Sequence, residues 1–452
     1  MRKVLFLGLL FLGGNLWARP VNENLEYAGY LKTEFWLKNY NDESHLSLSS
    51  FKNTFDLEVE YKLSENWAFF FHPRFFYDFA YDLREDFNSN FDRNQFKMGH
   101  TQRTEWLRDC YLDFTSDKLD IRIGKQQVVW GQADGLPFLD RVMPFDLSYY
   151  WLYDFADIRI PLWMIKVEYS PELNSTLQFL LIPDFEASRS APAYAPFAFK
   201  ANNDWYDFKT SYNPLLTIYR PPKQFENSRV GLRWRSILGN DIEYTLNWLY
   251  GYSTSAYTYT DSYASLQFSR RHKLMHMIGF SFNKSFVEPG LLEGWTIRGE
   301  FAYFHNEPTY YGTDGYRRRT ERTDKYTYVL GFDKTFFTNW VFSLQFAQFI
   351  HDKKTFGGYQ LLNTYTYGLL EKVENYLTLK VSTDFMHERL KPEVLIIYND
   401  DNDGRISFKA KYELRDNFWL TLGYHHFWGP LGGSNGQFRN NDHLVLEAKY
   451  TF

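Results

Sequence analysis

One cysteine, Cys110, stands in 452 residues, so no intramolecular disulfide framework holds the chain. Nowhere do ~20 apolar residues follow one another, which excludes a membrane-spanning helix. No glycine-rich loop has the spacing that cradles phosphates. Basic residues do not outnumber acidic ones, and the formal charge of −5 argues against a nucleic-acid partner. His425 and His426 are neighbours, and neighbours on a strand point to opposite faces. His272 and His276 have no thiolate or third ligand close by in sequence. Asn399 to Gly404 has the composition of a calcium loop's start, but Ala410 stands where such a loop needs its closing glutamate. No context pairs a serine with an activating histidine. The expectation is therefore no metal, no cofactor and no enzyme.

What the chain has in excess is aromatic rings. They make up 20% of it, with 43 Phe and 35 Tyr, yet the mean hydropathy is −0.48. Strands with one face in lipid and one in water combine these two properties. At the start, Arg2 and Lys3, the apolar run Val4 to Leu12, and Ala18 as the cleavage residue form a secretory signal peptide over 1–18. The mature chain, 19–452, divides into alternating segments roughly ten residues long, the pattern of a transmembrane barrel. Leu25, Tyr27, Leu31, Phe35 and Leu37 face one way, and Glu26, Lys32, Glu34 and Lys38 the other. Phe55, Leu57, Val59, Tyr61 and Leu63 likewise oppose Asp56, Glu58, Glu60 and Lys62. Ile406, Phe408, Ala410, Tyr412 and Leu414 oppose Ser407, Lys409, Lys411 and Glu413.

The links between segments alternate short and long, as periplasmic turns and extracellular loops do. Short links fall at 64–66, 115–118, 171–174, 236–240, 338–339, 387–391 and 415–417. Long ones fall at 39–50, 80–103, 132–160, 185–224, 305–324, 351–374 and 429–440. The expected fold is all-β: a single antiparallel transmembrane barrel of about 18 strands. Trp67, Phe79, Trp106, Trp234, Trp295, Trp340, Trp419 and Trp428 near strand ends suit the two lipid–water interfaces. The last residues recede at every second position from Phe452 through Tyr450, Ala448, Leu446 and Leu444. This resembles the closing strand of Gram-negative outer-membrane proteins, which the barrel-assembly machinery recognises. Tyr450 and Phe452 are then the assembly signal, and outer-membrane lipid and lipopolysaccharide the surroundings.

The most unusual stretch is 118–157. Leu119, Ile121 and Ile123 alternate with Asp120, Arg122 and Gly124 as in a strand. The long link after them carries Leu136, Phe138, Leu139, Val142, Met143, Phe145, Leu147, Tyr149, Tyr150, Trp151, Leu152 and Phe155. A loop in water is polar, so this one is expected to fold into the barrel and narrow it. Strict alternation aims Lys125 and Gln127 at lipid, and a bulge at Gly124 is expected to turn both inward. Arg122, Lys125 and Gln127 on the wall would then face Asp134, Asp140, Arg141 and Asp146 on the loop, and opposed charges of this kind filter solutes. Other wall charges, including Arg229, Arg233 and Arg235 and the neighbours Arg298 and Glu300, read as an ordinary wet interior.

The run L-R-D-C-Y-L-D-F at 107–114, R-I-G-K-Q-Q-V-V-W-G-Q-A-D-G-L at 122–136, and Asp140, Pro144 and Asp146 look like one outer-membrane family catalogued only as a domain of unknown function. Its members often sit beside RND-type exporters. The resemblance implies fold and location and leaves the substrate open. A porin-like channel for small solutes is the first reading. Transport of hydrophobic or amphipathic molecules, linked to an exporter, is the second, with Phe138, Phe145, Tyr149, Tyr150 and Trp151 as a binding surface. An outer-membrane lipase-like enzyme, or a surface receptor using 185–224, is the reading from other classes.

Overall fold

The computed structural model describes residues 23–39, 46–83, 106–239, 241–262, 264–313 and 317–452. The signal peptide expected over 1–18, and most of the link expected at 80–103, lie outside them. Among the described residues no helix is long and apolar enough to cross a membrane.

Eighteen strands pair antiparallel, each with its sequence neighbour, and the last pairs with the first, so the sheet closes into a barrel. In chain order they are β1 (Leu25–Asn39), β2 (Leu46–Lys62), β3 (Trp67–Asp78), β4 (Leu107–Thr115), β5 (Leu119–Gln126), β6 (Leu162–Glu172), β7 (Ser175–Ile182), β8 (Arg229–Leu238) and β9 (Ile242–Tyr252). The second half is β10 (Leu274–Ser285), β11 (Trp295–Thr313), β12 (Arg317–Phe336), β13 (Trp340–His351), β14 (Val373–Ser382), β15 (Leu390–Asn399), β16 (Asp403–Arg415), β17 (Phe418–Trp428) and β18 (Asp442–Thr451). Closure satisfies every neighbour's backbone groups, which hydrocarbon cannot do for an open edge. At the seam β1 pairs β18 from Tyr30 opposite Thr451 to Asn39 opposite Asp442. Gly29 and Phe452 then exchange two backbone hydrogen bonds of 2.9 Å.

Alternation sets the two faces. Leu31, Phe55 and Phe75 stand in register outside, while Glu34, Lys52 and Asp78 stand in register inside. Phe75 and Trp106 stack outside at 5.7 Å. An arginine on the lipid face near mid-membrane costs about 2–4 kcal/mol. Leu57→Arg and Val59→Arg are therefore expected to lower the yield of heat-modifiable barrel, and Glu58→Arg to leave it intact. Equal behaviour of all three on unheated gels would put the register off by one residue.

Two expectations need correction, and one long link was not anticipated. The residues 305–324 are not a loop: β11 and β12 continue as one hairpin to Thr313 and Arg317, with a register shift between Phe304 and Glu307. A further extracellular link, 253–273, carries its own hairpin, Tyr257–Ser262 with Gln267–Arg271, and a third strand, Leu215–Tyr219, adds to it in parallel. The bulge expected at Gly124 is absent, because β5 keeps register with β4 and β6 through that residue. Gly124 instead takes φ +143°, and a Cβ there would lie 2.2 Å from the Cys110 carbonyl oxygen. The register shift falls on the neighbouring strand, where Asp109 and Leu107 oppose His72 and Pro73 and leave Arg108 as the extra residue.

Candidate functional site: the segment inside the barrel

Residues 127–161 leave the end of β5 and run inside the barrel. The first leg lies against the inner faces of β6 to β8. Val128 and Trp130 are buried with Met164 and Leu180, and the Trp130 Nε1–H donates to Gln178 Oε1 at 2.7 Å. Leu139 presses on the wall at Gly279, where any side chain would collide, since a Cβ would sit 2.1 Å from Leu139 Cδ2. Glu300 accepts the backbone N–H of Gln132 and, at 3.3 Å, that of Leu139. Arg298 binds the Gln132 carbonyl and the Asp134 carboxylate. Asp134 also accepts from Gln345 Nε2 at 2.6 Å and lies 3.8 Å from Lys380. Phe138 stacks on Phe349 at 5.1 Å.

The segment then turns back and crosses the lumen. Arg159 and Asp140 form a buried pair at 2.6 Å that closes the segment on itself. Burial pushes the Asp140 carboxyl up by more than Arg159 pulls it down. Arg229 donates to the carbonyls of Val142 at 2.6 Å and Arg141 at 2.8 Å. On the far side, Tyr149 donates to Asp78 at 3.0 Å, Lys52 donates to the Tyr153 hydroxyl at 2.5 Å, and Arg74 holds Asp157 at 2.8 Å. Lys409 lies 3.6 Å from Asp154. Burial raises the Asp157 carboxyl, but Arg74, Lys32 and Arg108 outweigh it and hold it below the ordinary carboxylate range. Anchors on β2, β3, β8, β11, β13, β14 and β16 mean that the segment spans the interior rather than lining one side.

Other extracellular links meet it there. Phe197 and Phe199 from 183–228, and Phe438 from 429–441, are buried with Phe145, Tyr150 and Trp36. The segment separates two cavities. One, of about 370 Å³, is lined by Tyr149 and Tyr153 with Lys32, Lys52, Arg74 and Lys125. The other, of about 190 Å³, is lined by Tyr150 and Trp151 with Arg141, Glu307, Glu374 and Arg405. Alternate sides of a five-residue stretch thus face different chambers, and Tyr150 takes φ +53° at that point. Non-glycine residues in this region are uncommon and cluster at functional sites.

The sequence-predicted site residues are all placed, but their pairing differs from expectation. Arg122 bonds Asp113 on the adjacent strand, at 2.6 and 2.7 Å, not the loop. Lys125 is only 6% exposed, and its ammonium donates to the Leu107 carbonyl at 2.7 Å. Gln127 is half-buried at the segment's start. Asp134 meets Arg298, Asp140 meets Arg159, and the Asp146 carboxylate accepts the Ser148 N–H at 3.0 Å. Arg122 is held by Asp113 and Lys125 by the Leu107 carbonyl. Arg298 and Glu300 do not pair with each other; each holds the segment. Lys409 faces Asp154. Lys52, Arg74 and Arg405 were not singled out; their only sequence signal is a charged residue on the inward face of a strand.

The structure is a closed β-barrel of eighteen strands with the fold of outer-membrane porins, its lumen crossed by a segment of its own. It is similar in structure to the Pseudomonas aeruginosa protein described as OccK8 (OprE), with TM-score 0.52 and 10% identity, covering 95% of this chain and 98% of that one. It is likewise similar to Acinetobacter baumannii OccAB1, with TM-score 0.54 and 9% identity over 96% and 98%. A third is P. aeruginosa OccK2 (OpdF) in complex with glucuronate, with TM-score 0.53 and 8% identity over 95% and 98%. By sequence the chain belongs to the family described as "Protein of unknown function (DUF1302)", matched over residues 37–452. No curated protein matches it in sequence.

Proposed function

We propose that the protein is an outer-membrane channel that passes small solutes through a lumen narrowed by 127–161. The carrying observation is the pair of cavities on either side of Tyr149–Tyr153, which gives a passage with two chambers and one narrow place between them. The barrel fold supports the outer-membrane location, and the similar OccK2 structure is described with glucuronate and another, OpdK, with vanillate. Purified protein in a planar bilayer is expected to give discrete single-channel steps in KCl. A barrel that stays silent at every voltage contradicts the proposal.

Movement of amphipathic molecules is a second reading, favoured by one observation. The larger cavity reaches Trp163, which is 43% exposed, while its neighbours Leu162 and Met164 are buried facing the lumen. That cavity therefore touches both sides of the wall beside the ends of β4 and β5. Lipid that co-purifies with a silent barrel, and exchanges with added fatty acid, is the outcome that separates this reading from the first.

A further inference from the structure

A third cavity, of about 450 Å³, lies among the extracellular links and is larger than either chamber of the lumen. One wall is the helix Lys200–Tyr212. Its Asp204, Trp205, Phe208 and Tyr212 fall three or four residues apart, so one helix face carries them all. The other walls come from the hairpin Tyr257–Ser262 with Gln267–Arg271, the tip of β11, and the links 352–372 and 429–441.

The rings around this cavity meet at right angles. Phe268 stands edge-to-face against Trp205 at 5.3 Å and 82°, and against Phe208 at 5.6 Å and 88°. Tyr310 and Tyr367 make a second such corner at 5.6 Å and 88°. Tyr212, 63% exposed, stands beside Phe208 at the rim. Rings set at right angles present faces to one space from several directions, and an aromatic face carries partial negative charge.

The charges point the same way. Among the described residues that line the cavity, the acids are Asp204 and Asp207 and the one cation is Lys200. Lys200 is held by Asp204 at 2.6 Å. Asp207 accepts a hydrogen bond from the neutral Tyr194 hydroxyl, and no Lys or Arg among the described residues lies within ion-pair distance of it. The lining thus keeps one unmatched negative charge. It offers little to a sugar, because two of its hydroxyls are already used. Thr366 donates to the Gly432 carbonyl at 2.5 Å, and the Tyr310 hydroxyl accepts the Thr258 N–H at 2.8 Å.

We propose that this cavity is an extracellular binding site for a small organic cation with an alkylated ammonium head. The head lies among Trp205, Phe208, Phe268 and Tyr310, and Asp207 supplies the counter-charge. Aromatic faces attract such a head within about 6 Å of the ring centroid, Trp most strongly. A bare ammonium is strongly hydrated and leaves water less readily. The site goes beyond the channel reading, because it is built by the links and not by the lumen.

Choline is the probe. The control is its uncharged isostere, in which a tert-butyl group replaces the trimethylammonium head. Each is titrated calorimetrically into the purified native barrel in a maltoside detergent at constant salt. Choline is expected to give saturable binding and the isostere none. Trp205→Leu keeps an apolar side chain but removes the ring face, and is expected to weaken choline binding about tenfold, the order for one desolvated cation–π contact. Asp207→Asn is expected to weaken it severalfold. Heat-modifiable mobility on gels checks that both variants fold. No saturable choline binding, equal affinity for the isostere, or unchanged choline affinity in both folded variants overturns the site. Should the variants fail to fold, the two ligands on the native protein still decide. Conductance is a separate readout: choline binding to a silent barrel ends the channel reading and leaves this site.

Discussion

Removing residues 136–152, with a short glycine–serine bridge in their place, is expected to raise single-channel conductance severalfold. The excised stretch holds most of what fills the lumen, including Phe138 on Phe349, Leu139 on Gly279 and Tyr149 on Asp78. A barrel of eighteen strands is wide enough to leave an aqueous channel once its filling is gone. The excision leaves Asp134 on Arg298 and Asp157 on Arg74, so both ends stay anchored. It also leaves Arg229 without its two carbonyls, and an unsatisfied buried group costs about 1–3 kcal/mol. A barrel closed by eighteen strand pairs is expected to tolerate that loss. In the same measurement Lys125→Glu shifts selectivity toward cations, because the side chain lines the larger cavity beside Arg108 and Lys52. Conductance unchanged by the excision would mean that current takes a path the segment does not narrow.

Deleting Tyr450 to Phe452 is expected to abolish assembly. These residues make the low end of the seam, where Tyr450 opposes Leu31 and Phe452 bonds Gly29 in both directions. The Phe452 ring also stacks on Phe55, 6.4 Å away across the outer face. Each backbone group left unpaired in hydrocarbon costs several kcal/mol, and the same residues are the proposed signal to the assembly machinery. The truncated chain should accumulate in the periplasm as a protease-sensitive form that runs identically on gels with and without heating. Normal heat-modifiable barrel from the deletion would show that closure does not depend on this end.

The wall was legible in the sequence because each strand carries its own instruction. Leu31, Phe55 and Tyr450 mark the lipid face locally, by alternation alone. The β11–β12 extension escaped because its residues give no alternation: Tyr310 and Tyr311 are adjacent and both buried, and with Pro308, Thr309, Gly312 and Thr323 around them the stretch reads as a loop. The hydrophobic content of 136–155 was enough to place the segment inside, since burial is the only setting for so many large apolar groups. Its anchors were not legible. Arg298 and Glu300 share one face of β11, so the sequence suggests that they meet each other, whereas the structure brings each to a different atom of a segment some 165 residues away in sequence, at Gln132 and Asp134. Arg405 is the extreme case. Between Gly404 and Ile406 it looks like any inward polar residue of a strand, and only the assembled interior shows that no acid among the described residues lies within ion-pair distance of it.

The central claim is that 127–161 stands inside the barrel and divides its lumen. Phe145, 5% exposed among Tyr150, Phe197 and Phe438, reports on it most directly. With Cys110 replaced by serine, a cysteine at position 145 is to be challenged on intact cells with a membrane-impermeant maleimide. The account predicts no labelling until the barrel is unfolded, while a control cysteine at the exposed Phe225 labels at once. Prompt labelling at 145 in folded, surface-assembled protein would place the segment in the medium and contradict the account.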